Sequence, residues 1–225
     1  MKRRRFFRFL LAFVLLPTAF AALMATAKAF GMALKRPTGN VPFLIGFFTY
    51  PLFQWIFFRP LRVYIFGHEL THALAAWFSG LRVRRFSVSK TKGHVLLTGS
   101  NTFIALAPYC IPLYALFLIV LFFVMQWFTQ LNSYGPYLHA LVGFALAFHF
   151  FLTGDILWSK KQSDLSQAGG VFFSLMIIIL SNCLVLGLAL KLFFPHSFFL
   201  KSYGMEWWTG TLSFWKGCYA LVQRN

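Results

Sequence analysis

Acidic side chains are almost missing from this chain: four Asp and Glu stand against twenty-one Lys and Arg in 225 residues, for a formal charge of +17. Cysteine is scarce too, and Cys110, Cys183 and Cys218 are too scattered to form a disulfide framework or a Cys-x-x-Cys metal pair. They read as packing residues. Polar stretches long enough to make a soluble domain are absent as well, with 59% hydrophobic and 20% aromatic residues and a mean hydropathy of +0.70. A soluble domain of 25.9 kDa cannot hide that much apolar surface, so the chain reads as an integral membrane protein. The positive charge does not indicate a nucleic-acid partner, because the basic residues sit in short clusters between apolar segments and leave no polar domain to hold a groove. They orient the chain in the lipid bilayer instead.

What is present is a series of apolar segments. Lys2 to Arg5 precede a run over 6–27 that has the charge pattern of a signal peptide, with an Ala27-Lys28-Ala29 cleavage signal. The run exceeds the usual hydrophobic region of roughly 7 to 15 residues, so an uncleaved first helix is expected, with Pro17 as a kink. Further segments lie at 41–59, 62–80, 101–129, 137–158 and 170–194, separated by Pro, Gly, Lys and Arg. The expected fold is therefore an all-α polytopic membrane protein of one domain over 1–225, with about six membrane-embedded helices. Between Arg82 and Thr98, loose alternation of Val83, Phe86 and Val88, a turn at Lys92-Gly93 and then Val95 to Leu97 suggest a small β-hairpin over 82–98, with a basic surface loop as the alternative. The tail from Ser197, with Trp207, Trp208 and Trp215, suits the headgroup region.

One of the four acids, Glu69, lies inside an apolar stretch in the run Gly67-His68-Glu69-Leu70-Thr71-His72. A charge at the bilayer centre costs about 2.5 to 3.5 kcal/mol even on insertion-based scales, so a carboxylate there marks a site with a partner. On a helix turning about 100° per residue, His68 and His72 lie about 40° apart on one face, and both imidazoles can reach one ion. Glu69 is rotated about 100° from His68, beside that ion, where it can act as a base rather than a ligand. Zinc suits this set, because it takes His and carboxylate ligands in a tetrahedron with one open position. The bland reading is a packed His/Glu cluster with no ion.

Zinc needs a third ligand, and three carboxylates remain. Glu206 lies in the tail. Asp155 follows the apolar run Phe144 to Leu152, and Asp164 sits in the polar link Lys160-Lys161-Gln162-Ser163-Asp164-Leu165. Asp155 is the costlier residue to leave without a partner and is the first choice. One carboxylate ligand and one carboxylate base also bring a dication site to zero charge. Asp164 is the alternative, with an N-cap role as its bland reading, and His149 is a third candidate.

These residues resemble the site-2-protease-like intramembrane zinc metalloproteases, in particular their shorter bacterial branch. The resemblance runs from about Gly67 to Asn182 and rests on His68-Glu69-Leu70-Thr71-His72-Ala73-Leu74, on Gly80-Leu81-Arg82-Val83, on Asp155-Ile156, and on Ser163-Asp164-Leu165 with Gly169-Gly170. It implies two His and a distant Asp as zinc ligands, Glu69 as catalytic base, membrane-protein substrates and a bacterial cytoplasmic membrane. The chain departs from the family pattern at Thr71, where a small Gly is usual. It also lacks the Asn-x-x-Pro and Leu-Asp-Gly motifs of the main branch, which leaves the third ligand open between Asp155 and Asp164. Other classes that the residues allow are a non-proteolytic protein retaining the metal site and a transporter with a His/Asp ion path.

Ligands on different helices must meet at one depth. If every apolar segment crossed once, residues near 68 and near 155–164 would fall at opposite faces, and the loop of Arg82, Arg84, Arg85, Lys90 and Lys92 would be exported against the charge rule. A helix carrying His68 that enters and returns from the cytoplasmic side repairs both. Splitting 101–129 at Pro108 and Pro112 is the second repair.

Overall fold

The structure, a computed structural model, describes residues 2–35, 41–89, 92–159 and 161–223. Lys90 of the basic loop and Lys160 of the polar link lie outside the described residues. The chain is mostly helical, with nine α-helices among the described residues and one two-stranded antiparallel hairpin. Two compact units form. One comprises 1–39 with 169–225, the other 40–168.

The first unit holds α1 (Lys2–Lys35), α8 (Val171–Phe193) and α9 (Leu200–Gln223). Pro17 is accommodated inside the continuous helix α1. Small residues line its buried side, including Ala12, Ala19, Ala22, Ala25, Ala29 and Ala33, while Phe13, Phe20 and Met24 are exposed. That arrangement suits lipid, where small residues let helices approach and large apolar side chains face outward. Ala12 and Ala19 pack with Phe173 and Met176 of α8. From α9, the Tyr203 hydroxyl donates to the Cys183 carbonyl at 2.8 Å, and Lys28 pairs with Glu206 at 2.6 Å. The tail read as a headgroup-region segment is thus the helix α9.

The second unit runs α2 (Val41–Ile56), α3 (Leu61–Phe78), β1 (Val83–Val88), β2 (Gly93–Leu97), α4 (Thr102–Cys110), α5 (Leu113–Gln126), α6 (Gly135–Ser159) and α7 (Ser163–Ala168). Helices α2 and α6 approach so closely that a Cβ on Gly46 would strike the Ala140 backbone and one on Gly143 the Phe43 carbonyl. Helix α3 ends in a Schellman motif: Gly80 takes φ 73°, and the Leu81 N–H reaches back to the Ala76 carbonyl at 2.8 Å. The expected hairpin follows. Its register pairs Phe86 with Val95 and Ser87 with His94, with an irregularity between Val83 and Arg85. Leu81 and Leu97 pack on a small core of Ala75, Ala76, Ile104 and Ala107, which fixes the hairpin against α3 and α4.

Among the described residues, three helices are long and apolar enough to cross a membrane: Arg5–Lys35 within α1, α6 and α8. The bent pair α4 and α5, turned by 74°, makes a fourth if it is one span. The chain is therefore an integral multi-pass membrane protein with three or four candidate spans. Helix α2, at 16 residues, extends about 24 Å and falls short of a hydrocarbon core of about 30 Å. The segment 101–129 is not one helix, because it breaks at Ile111 and Pro112, beside the point where the second repair placed its split.

Candidate metal centre

Helix α3 carries His68, Glu69 and His72, and the short helix α7 brings Asp164 to them. The Nε2 atoms of His68 and His72 each lie 3.5 Å from Asp164 Oδ2, and one ligand atom from each of the three residues lies within 4.8 Å of the others. A separation of 3.5 Å is long for a charge-assisted hydrogen bond. It is close to the edge of a tetrahedron of ligands around zinc, roughly 3.4 Å for bonds of about 2.0 to 2.2 Å. The donor set and these two separations thus suit a metal ion of the zinc type.

The surrounding groups orient these side chains. His72 Nδ1–H donates to the Ile104 carbonyl at 2.8 Å, which leaves the Nε2 lone pair facing the centre. That carbonyl is available for a sequence reason. Within α4 its helical partner would be the N–H of residue 108, which is proline and has none. The Asn101 side chain caps the same helix by accepting from the Ile104 N–H at 2.8 Å, so both polar groups of Ile104 are spoken for. The fully buried Tyr109 donates its hydroxyl to Asp164 Oδ2 at 2.9 Å, and its ring meets His68 edge-on at 5.0 Å. Burial by itself would raise the Asp164 carboxyl, but the two imidazoles and the Tyr109 hydroxyl outweigh it and hold the group well below the usual carboxylate range.

Asp155 is placed elsewhere. Its Oδ2 pairs with Arg59 at 2.8 Å, so the burial cost that made it the first choice is met by a cation from the loop before α3. The alternative, Asp164, is the acid that joins the two histidines. His149 is buried in α6 against Phe150, outside the three-residue group. Glu69 is also outside it. Its side chain lies so close to Gly93 of β2 that a Cβ there would come within 2.5 Å of its Cγ and Oε1.

A cavity of about 560 Å³ opens over the group, lined by His68, Glu69, His72 and Asp164 on one side and by Gly93, His94, Val95 and Leu97 of β2 on the other. Among the described residues, β2 has a strand neighbour on one side only. Sequence reasoning did not find Tyr109, the Ile104 carbonyl or Gly93 as parts of the site. The signals were there in Pro108, which frees a carbonyl four residues back, and in a glycine opening a strand. Neither becomes informative until α4 and the hairpin are known to flank α3. Compared with protein-family models, with characterised proteins and with solved structures, the chain matches none.

Proposed function

We propose that the protein is an intramembrane zinc-dependent endopeptidase acting on membrane-protein substrates. The observation that carries this reading is the convergence of His68, His72 and Asp164, whose ligand atoms lie within 4.8 Å of one another, with a second carboxyl group, Glu69, facing the same cavity but outside that group. Two imidazoles and a carboxylate would hold the ion, and a bound zinc polarises the scissile carbonyl and acidifies water. Glu69 accepts the proton of the attacking water and returns it to the leaving amine. The one-sided strand β2 offers backbone groups along the cavity wall, to which an extended stretch of substrate pairs by strand addition. An unwound substrate helix supplies such a stretch, and the polar cavity allows irregular backbone at membrane depth.

The test is Glu69→Gln, with zinc content and cleavage of reconstituted transmembrane-segment reporters measured together. Cleavage by the wild type that disappears in the variant, with zinc retained at one per chain, supports the peptidase. Equal cleavage by both proteins refutes it. Zinc bound by both with no cleavage by either favours a protein that keeps the site for binding or assembly.

A further inference from the structure

The two ligand imidazoles are not supported alike. His72 donates its Nδ1–H to a carbonyl that a proline has released, whereas the fully buried His68 Nδ1 has no hydrogen-bond partner among the described residues. If His68 binds an ion through Nε2, then Nδ1 carries the proton, and a buried N–H without an acceptor is destabilising. Beside this ring lies a second, separate cavity of about 20 Å³. Its walls include Tyr64, His68, Thr71, Pro108 and His149.

Two of those residues bring acceptor oxygens. The Pro108 carbonyl would take its helical bond from residue 112, which is again proline, and the Leu113 N–H goes to Ile111 at 2.9 Å instead. The Thr71 hydroxyl spends its proton on the Gly67 carbonyl at 2.7 Å, which leaves its oxygen lone pairs able to accept. A cavity of this size holds one water, and a buried water typically makes about three hydrogen bonds.

We infer that one structural water occupies this cavity, accepts the His68 Nδ1–H and donates to the Thr71 hydroxyl and the Pro108 carbonyl. Thr71 is then a positioning residue for the metal ligand His68. The two prolines four residues apart do parallel jobs: Pro108 frees Ile104 for His72 directly, and Pro112 frees Pro108 for His68 through the water. Thr71 is also the position at which the chain departs from the motif it resembles, and a glycine there would offer the water no hydroxyl.

This inference rests on the metal-centre reading, and the experiment separates the two. Metal-stripped wild type, Thr71→Val and Thr71→Ser are titrated with zinc against a competing chelator, and their cobalt(II) forms are compared by visible absorption. Loss of an outer hydrogen bond to a ligand weakens metal binding about 10- to 100-fold, which is the effect expected of Thr71→Val, with a shifted cobalt band. Thr71→Ser keeps the wild-type affinity and band. Should Thr71→Val bind zinc as tightly as the wild type with the same cobalt spectrum, the water bridge is wrong and the metal centre stands. Failure of the wild type itself to bind zinc removes the metal centre. If Thr71→Val does not fold, a high-resolution structure of the wild type decides, because an empty cavity beside His68 overturns the proposal.

Discussion

Substituting Gly93 by Ala tests whether the hairpin positions Glu69, the proposed base. Gly93 opens β2 and does not adopt a positive φ, so alanine is conformationally tolerated there and the effect is steric. Its new Cβ would lie 2.5 Å from Glu69 Cγ and Oε1 and 2.6 Å from Ile65 Cγ2, where ordinary contact begins at 3.4 Å. Ile65 is β-branched and stiff, which limits how far the strand can slide away along α3. A small shift of the strand relieves the Ile65 overlap, and the flexible Glu69 carboxylate gives for the rest, by up to about 0.9 Å, the difference between 2.5 and 3.4 Å. A displacement of about 1 Å at a reacting group costs about 100-fold in rate. The expected outcome for Gly93→Ala is a kcat about two orders of magnitude lower on a transmembrane-segment reporter that the wild type cleaves, with zinc still bound at one per chain, because Glu69 lies outside the three-residue group. Overpacking costs about 1 to 3 kcal/mol of stability, so the variant is assayed below its own melting temperature. Wild-type kcat in a folded, zinc-loaded Gly93→Ala protein would refute the placement of Glu69 as the base.

Two further outcomes are expected. Asp164→Ala loses zinc, whereas Asp155→Ala keeps it and gives up only the half-exposed pair with Arg59, worth at most about 1 kcal/mol; metal analysis of the two purified proteins checks this, and the reverse result would return Asp155 to the ligand set. Gly143→Ala drives a Cβ into the Phe43 carbonyl and forces α2 from α6, which lowers the melting temperature in detergent through an overpacking cost of about 1 to 3 kcal/mol. Gly154→Ala, in open space on the same helix, leaves it unchanged or slightly raised.

The third ligand shows where reading the chain alone stops. Both Asp155 and Asp164 follow apolar segments, and burial cost ranked Asp155 first because it stands nearer the helix interior. The ranking assumed that an ion was the available partner. Arg59, almost a hundred residues earlier, supplies a cation instead, and the acid that lies beside the two histidines is Asp164 of the polar link after α6, held by a hydrogen bond from Tyr109. Neither pairing leaves a local trace in sequence. The hairpin was legible because Lys92-Gly93 and the alternating apolar residues are local signals, although Gly93 opens β2 and lies outside the turn. The break in 101–129 was visible only as two prolines, whose consequence depends on the bend of α4 against α5.

By itself, the sequence determined that this is a membrane protein, that two imidazoles one turn apart share a helix face, and that a scarce carboxylate stands beside them. Each of these follows from composition or from the pitch of one helix, so no distant residue can change it. Tertiary structure alone decided which acid completes the group, which carbonyl fixes the His72 tautomer and which strand faces Glu69. Those choices depend on distances between elements far apart in the chain, and a few ångströms separate a ligand from a bystander.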